Sequence, residues 1–277
     1  MDTETLRICS YNIRCNLQSN GVFVDGENQW AFRKDRVASV LNLYAPDLIG
    51  LQEVLVEQLH DLEKRLPDFG WTGVGRDDGV ESGEFSPIFY RRSVLNLLNS
   101  GTFWLSETPN IAGSMGWDAA CVRIATWACF QHQPSGKVFY HLNTHLDHRG
   151  AVARAEGVKL LQKQLVDIAE DTPAIISGDF NCVEKDNPYQ LLTNTKQNNS
   201  TLWQDTKYVS IAAHHGPSGT FNTRFADPIQ GKIDYIFLYQ SSKIQPSIQV
   251  QQHAILADNW DGRYPSDHLP VFVRLLL

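Results

Sequence analysis

Short apolar segments rich in β-branched and aromatic residues recur along the whole chain, and they constrain its fold more than any other feature. Each is short and bounded by turn residues, which is typical of a strand rather than a helix. The segments predicted as strands are residues 6–11, 47–51, 87–90, 122–130, 138–143, 174–177, 233–238 and 270–275. A chain with so many strands must bury them in one or more sheets.

Three amphipathic stripes lie between these predicted strands. The first runs through Val37, Val40, Leu41 and Tyr44 with helical spacing, and Pro46 ends it. The other two, at residues 55–66 and 151–168, also end at prolines. The segments 122–130 and 138–143 are predicted to form an antiparallel hairpin around the turn 134–137. The mixed order and the lack of a linker predict one α/β domain over residues 1–277, with two packed sheets.

Length and charge exclude several classes of protein. Among the 277 residues no apolar run approaches the ~18 that a membrane helix needs. The excess of 31 Asp and Glu over 24 Lys and Arg argues against a protein that coats nucleic-acid phosphates. The 5 cysteines are scattered without a C-x-x-C pair, and no signal peptide is visible, so a cytoplasmic protein is predicted. A monomer is the default expectation.

Polar side chains stand directly beside the ends of the predicted strands. Loops and strand ends at one sheet edge usually carry catalytic groups, and a charge there is costly unless a partner or a metal satisfies it. The residues in question are Asn12, Glu53, His145, Asp179, Asn181, Asp234, Asp267 and His268. These side chains are therefore predicted to form one site.

The chemistry of this set fits hydrolysis of a phosphate ester. Glu53 and Asp267 offer the hard oxygens that Mg²⁺ and Mn²⁺ prefer. Asp179 is a candidate base toward a water molecule, with Asn12 and Asn181 holding the water and the metal ligands. His145 and His268 are candidate donors to phosphoryl oxygens, and Asp234 is a candidate partner that orients His268.

Six motifs containing these residues also occur in a recognisable order. They are Ser10-Tyr11-Asn12-Ile13, Leu51-Gln52-Glu53-Val54, Asn143-Thr144-His145-Leu146, Gly178-Asp179-Phe180-Asn181, Ile233-Asp234-Tyr235-Ile236 and Ser266-Asp267-His268-Leu269-Pro270. This series resembles that of the endonuclease/exonuclease/phosphatase superfamily, which includes abasic-site endonucleases, deadenylases, sphingomyelinases and inositol-polyphosphate phosphatases.

The resemblance implies a deoxyribonuclease I-like fold, a four-layer α/β/β/α sandwich of two mixed, mostly antiparallel sheets. It implies a metal site at the sheet edge, with Asn12, Glu53 and Asp267 on the metal side. Asp179 and Asn181 carry over as the residues that activate and position water. His145 carries over as a phosphate contact, and so does His268, paired with Asp234.

Departures from the family pattern leave the substrate open. Arg14 stands where many nucleases of the family have an acid or a glycine, and the tryptophan-rich motifs of the inositol-polyphosphate phosphatases are missing. The stretches at residues 101–107 and 117–127 resemble uncharacterised microbial members near the deadenylase-like branch.

Four further residues are candidate substrate contacts, each with a structural alternative. Arg123 either reaches phosphate or pairs with an acid at the edge of the core. Asp147 either lines the pocket or caps the following helix, and capping is slightly favoured. Trp117 and Phe221 either stack on a base or sugar or pack in the core.

The sequence thus predicts a Mg²⁺- or Mn²⁺-dependent hydrolase of phosphodiesters, acting on a phosphate ester such as a nucleotide or a short nucleic acid. A phosphomonoesterase or a lipid or sugar headgroup phosphodiesterase is the main alternative, and the formal charge of −7 mildly favours a small substrate. A catalytically inactive binding module is the second alternative, against which the complete set of polar residues argues.

Overall fold

The computed structural model describes residues 4–19, 22–170, 172–194, 196–197, 200–201, 203–239 and 248–277. Most of this part is built from two β-sheets with helices on their outer faces. The strands are β1 (Thr5–Asn12), β2 (Gln18–Ser19), β3 (Val22–Phe23), β4 (Leu48–Gln52), β5 (Phe69–Thr72), β6 (Ile88–Arg91), β7 (Leu95–Trp104), β8 (Ile124–His132), β9 (Val138–His145), β10 (Ala174–Asp179), β11 (Lys196–Gln197), β12 (Ser200–Thr201), β13 (Trp203–Asp205), β14 (Asp234–Tyr239), β15 (Gln249–Ile255) and β16 (Val271–Leu276). The helices are α1 (Trp30–Tyr44), α2 (Val56–Arg65), α3 (Ala151–Ala169), α4 (Asn187–Thr193) and α5 (Thr206–Val209), with a 3₁₀ turn at Gly26–Asn28.

The two sheets are built alike. The first has the strand order β15-β16-β1-β4-β6-β5, and the second has the order β13-β14-β10-β9-β8-β7. Near the middle of each lies a parallel pair, β1 with β4 and β9 with β10, and a helix connects its two strands. Across the sandwich β1 packs against β10 and β4 against β9. The carboxyl ends of all four strands therefore meet at one edge.

Three apolar layers hold the elements together. Helices α1 and α2 cover the first sheet through Val37, Leu41, Leu59, Leu62 and their neighbours. Helix α3 covers the second sheet through Val158, Leu161 and Leu165. The layer between the sheets contains Ile8, Leu48, Phe130, Ile175 and Ile236 among others. These layers confirm the predicted α/β/β/α sandwich, because each apolar face is buried against the next layer.

The layer between the sheets becomes polar toward the edge where the strand ends meet. There Asn143 of β9 donates from Nδ2 to the carbonyls of Leu51 (2.7 Å) and Pro87 (3.1 Å). Its Oδ1 accepts from Gln52 Nε2 at 2.7 Å and from Ser177 Oγ at 3.1 Å. Gly50 is required here, because a Cβ atom would collide with Ser177 and Asn143. The network fixes the distance between the two sheets directly below the edge.

The predicted strands are all present, as β1, β4, β6, β8, β9, β10, β14 and β16. They are the inner strands of the two sheets, whereas the edge strands β5, β7, β13 and β15 are not predicted. The three predicted helices appear as α1, α2 and α3, and the short α4 and α5 are additions. None of the helices in the described part combines the length and hydrophobicity that crossing a bilayer requires.

Candidate active site

The structure brings the eight predicted polar residues together at one edge of the sandwich. Asn12, His145 and Asp179 are the last residues of β1, β9 and β10, and Glu53 follows β4. Asp234 is the first residue of β14, opposite Asp179 in the sheet. Asp267 and His268 precede β16, which runs antiparallel to β1 and so begins at the same edge.

Asn12 links the two sheets at the centre of the site. Its buried amide Nδ2 donates to Glu53 Oε1 and to Asp179 Oδ2, both at 3.0 Å. Ser266 Oγ donates to the carbonyl of Asn12 at 2.7 Å, which ties the loop before β16 to the end of β1. The side chain of Asn12 thus sets the spacing between two carboxylates that would otherwise repel each other.

Asp179 is the most connected carboxylate of the site. Its Oδ1 accepts from the backbone amide of Asn181 at 2.9 Å. Its Oδ2 lies 3.3 Å from His145 Nε2 and 3.7 Å from His268 Nε2. Burial, reinforced by the nearby Asp234 carboxylate, raises the pKa of Asp179 to about 7. A carboxyl group with such a pKa is suited to exchange protons near neutral pH.

His268 forms a buried pair with Asp234. The distance from His268 Nδ1 to Asp234 Oδ2 is 2.9 Å. Burial disfavours the charged ring, but Asp234 and Asp179 outweigh it and raise the pKa of His268 well above its ordinary value. The ring of Phe221 lies against that of His268, with centroids 5.1 Å apart. The pair therefore holds a charged imidazole whose Nε2 faces Asp179.

His145 has the opposite electrostatic character. Burial and the positive charge of Arg123 lower its pKa well below the ordinary value, so the ring is neutral. Its Nε2 lies 3.0 Å from the side-chain nitrogen of Asn181. Its Nδ1 is buried without a hydrogen bond and is 3.9 Å from Glu84 Oε2. The site thus contains one charged and one neutral histidine, and the Nε2 atoms of both lie near the same oxygen of Asp179.

Glu84 is a site residue that the sequence analysis missed. Arg76 Nη1 donates to its Oε2 at 2.6 Å, and Arg123 Nη1 lies 3.7 Å from the same oxygen. Burial and the carboxylate of Glu53 raise the pKa of Glu84. It precedes β6, which is antiparallel to β4 and begins at the site edge. The sequence carries the same signal for Glu84 as for Asp267, an acid three residues before a predicted strand.

Arg33 of α1 is a second missed residue, and it supports the loops around the site. It is buried, and its Nη1 donates to the carbonyls of Ile13 (2.7 Å) and Pro265 (2.9 Å). Its Nη2 donates to the carbonyl of Arg14 at 3.0 Å. Only the heptad-like position of an arginine among apolar residues marks it in the sequence, which is a weak signal.

The predicted substrate contacts have different surroundings. Arg123 is buried beside Glu84 and lies 3.3 Å from His148 Nδ1, and its Nε has no hydrogen bond. Phe221 borders His268, as described. Trp117 lies on the loop between β7 and β8 with a left-handed backbone, and the described contacts give it no hydrogen bond to the other site residues.

The surroundings of Asp147 bear on the choice between its two expected roles. Its buried carboxylate accepts from four backbone amides, those of Arg149, Gly150, Ala120 and Cys121. These bonds hold two loops at the beginning of α3 and occupy the oxygens that a substrate would need. The structure therefore favours the capping role over substrate binding.

The donor set of the site fits a hard divalent cation. Glu53 and Asp267 face the same Arg14 nitrogen, at 4.0 Å and 3.8 Å, and both are mostly buried carboxylates. Asp234 Oδ1 is buried without a hydrogen bond, and Asp179, Asp234 and His268 offer ligand atoms within 4.8 Å of one another. Carboxylate oxygens at this density are characteristic of Mg²⁺ or Mn²⁺ sites.

A four-layer sandwich whose edge carries acids, amides and histidines is the arrangement expected of a phosphoesterase. The model of the Endonuclease/Exonuclease/phosphatase family matches residues 9–268, and the chain belongs to this family.

Solved structures of similar proteins agree with this assignment. A family member from Bacteroides vulgatus is 36% identical, with a TM-score of 0.88 and 99% of each chain covered. The mannosyl-6-phosphatase of Bacteroides thetaiotaomicron is 32% identical, with a TM-score of 0.88, covering 98% of this chain and 100% of that one. An uncharacterised protein, L388, of Acanthamoeba polyphaga mimivirus is 28% identical over 62% of this chain. The chain spans 34% to 65% of the length of the curated relatives it matches.

Proposed function

We propose that the protein is a divalent-metal-dependent phosphoesterase that hydrolyses a small phosphomonoester, such as a phosphorylated sugar, within one domain over residues 1–277. The observation that carries the proposal is the position of Asp179, which contacts Asn12, Asn181 and both histidines beside the carboxylate of Glu53. The mannosyl-6-phosphatase relative, similar over the whole chain, supports the choice of a monoester.

Asp179 is the base in this proposal. Its pKa of about 7 lets it accept a proton from the attacking water and release that proton again near neutral pH. Asn181 holds the carboxylate through its backbone amide, at 2.9 Å. Asn12 donates to the other oxygen, so the proton-accepting lone pair has a fixed direction.

The two histidines and Arg123 bind the oxygens of the phosphoryl group in this proposal. His268 is kept charged by Asp234 and donates from Nε2, and neutral His145 adds a dipolar contact beside the same oxygen of Asp179. Arg123 contributes a permanent positive charge next to His145. Such donors stabilise the negative charge that develops on phosphoryl oxygens in the transition state.

Glu53 and Asp267, with Asn12 between Glu53 and Asp179, would hold the cation, Mg²⁺ or Mn²⁺. A bound cation of this kind polarises a phosphoryl oxygen and lowers the pKa of a bound water. Asp234 and Asp179 offer oxygens for a second position, although the pairing of Asp234 with His268 already uses one of them.

Phosphodiester hydrolysis, the reaction favoured by the sequence motifs, is the second candidate. The motif series resembles nuclease members of the family, and the same base and donors serve attack on either ester. The two candidates differ in the charge of the group transferred, which is about −2 for a monoester and −1 for a diester near neutral pH.

Turnover of p-nitrophenyl phosphate and bis-p-nitrophenyl phosphate, each with Mg²⁺, Mn²⁺ or EDTA, tests the proposal. We expect metal-dependent turnover with a higher kcat/KM for the monoester and none in EDTA. Asp179→Asn serves as the inactive control. A higher kcat/KM for the diester would favour the second candidate. No turnover of either ester, or of a panel of sugar phosphates, would favour a binding module.

A further inference from the structure

Arg14 lies beside the carboxylates assigned to the cation, and none of the roles above uses it. Its guanidinium pairs with Asp25 through two contacts of 3.2 Å, from Nε to Oδ2 and from Nη2 to Oδ1. The remaining nitrogen, Nη1, is 3.8 Å from Asp267 Oδ2 and 4.0 Å from Glu53 Oε2. One arginine thus spans an acid outside the site and two acids inside it.

The backbone of Arg14 is fixed as firmly as its side chain. The residue has a φ of +58°, a left-handed conformation that is strained for a non-glycine residue and persists only where its surroundings enforce it. Its amide donates to Asn12 Oδ1 at 3.0 Å. Its carbonyl accepts from Arg33 Nη2 and Gln58 Nε2, both at 3.0 Å. The position of the guanidinium is therefore built into the site.

A permanent positive charge at this position acts on the two ligands of the site in opposite directions. It repels a divalent cation held by Glu53 and Asp267, because the groups are only a few ångströms apart and partly buried. It attracts a phosphate group bound at that cation. The Arg14 side chain is 25% exposed, so a substrate can reach it.

We propose that Arg14, held in place by Asp25, weakens binding of the divalent cation and strengthens binding of the phosphate group, and thereby favours a doubly charged phosphomonoester. The inference rests on the proposed function in that Glu53 and Asp267 are taken as the cation's ligands. A monoester carries more negative charge than a diester, so it gains more from the extra cation.

The matched variants are Arg14→Gln, which removes the charge, and Arg14→Lys, which keeps it. Mn²⁺ affinity is measured by calorimetry on metal-free protein, and inorganic phosphate affinity on Mn²⁺-saturated protein. We expect Arg14→Gln to bind Mn²⁺ roughly tenfold more tightly and phosphate roughly tenfold more weakly. The substitution removes one repulsive interaction with the cation and one attractive interaction with the phosphate. Arg14→Lys should stay within about threefold of the wild type in both.

Asp25→Asn is a third variant, and it should change the Mn²⁺ affinity in the direction opposite to Arg14→Gln. It removes the negative charge that partly balances Arg14, so Mn²⁺ should bind more weakly than to the wild type. Thermal unfolding of each variant confirms that it is folded. In turnover, Arg14→Gln should lower kcat/KM for p-nitrophenyl phosphate more than for bis-p-nitrophenyl phosphate.

The outcomes separate this inference from the proposed function. Parallel weakening of Mn²⁺ and phosphate in Arg14→Gln, or no change in either, would overturn the role of Arg14. Opposite shifts in a protein that hydrolyses no monoester would support Arg14 and overturn the proposed substrate. A wild-type protein that binds no Mn²⁺ would overturn both.

Discussion

At the scale of single residues, the site depends on side chains that the backbone presents in unusual conformations. Arg14, Glu53 and Asn181 each follow the end of an inner strand and have φ values of 58°, 60° and 47°. A left-handed residue departs from the extended conformation, so the chain turns at the end of each strand. The sequence could identify Glu53 and Asn181 by their motifs, but the left-handed turns and the contacts of Glu84 and Arg33 depend on distant segments.

Asp179 should be needed for activity and should destabilise the metal-free fold at neutral pH. For Asp179→Asn we expect turnover to fall by about 10²–10⁴-fold, the usual contribution of a general base. The pKa of Asp179 is raised to about 7, so the folded protein binds this proton more tightly than the unfolded chain. The contribution of Asp179 to the stability of the metal-free protein is therefore fully present below the ordinary carboxyl pKa and is lost as the pH rises through about 7.

Thermal unfolding in EDTA between pH 4 and pH 7 measures that effect. Asp179→Asn should match the wild type at the acidic end and exceed its Tm at pH 7. Asp68→Asn, whose wild-type side chain is 78% exposed, is the control and should follow the wild type throughout. Near-normal turnover of Asp179→Asn, or a lower Tm than the wild type at pH 7, would contradict the assignment.

At the scale of elements, the sequence pattern separated the inner strands from the edge strands. The inner strands are buried on both faces and read as apolar runs, whereas β7 carries exposed Asn96, Leu98 and Asn99, and β15 is rich in glutamine. An edge strand has one unpaired side and needs fewer apolar residues, so its sequence pattern resembles that of a loop. The sequence therefore predicted the part of each sheet that carries the site and missed the strands that border it.

The network around Asn143 should hold the two halves of the site in register. Replacing Asn143 with Ala leaves the carbonyls of Leu51 and Pro87 and the side chains of Gln52 and Ser177 without this partner. We expect a loss of about 2–4 kcal/mol in the free energy of unfolding, measured with urea, since several buried polar groups become unsatisfied. Asn99→Ala, at an exposed position in β7, should change it by less than about 0.5 kcal/mol. Equal losses in both variants would show that the network has no special role.

At the scale of the whole molecule, the acid excess has a partly functional origin. Glu53, Glu84, Asp179, Asp234 and Asp267 lie at one edge of the sandwich, where the proposed cation would offset part of their charge. The chain as a whole carries a formal charge of −7, which does not favour binding of a polyanion. The clustered acids and the negative net charge thus support the proposed small phosphate ester over a long nucleic acid.

Salt dependence of turnover separates these two kinds of substrate. A protein that neutralises several phosphates of a nucleic acid releases counterions, and its affinity then falls steeply with salt, with a slope of about −0.7 per phosphate for single strands. For p-nitrophenyl phosphate in Mn²⁺ we expect log kcat/KM to change with log salt by a slope no steeper than about −1, because a single phosphate is bound. A single-stranded oligonucleotide offered to the same enzyme should be a poor substrate at every salt concentration. Efficient cleavage of the oligonucleotide, with a slope steeper than about −3, would instead reveal a basic track outside the site and would assign the protein to nucleic acid despite its negative charge.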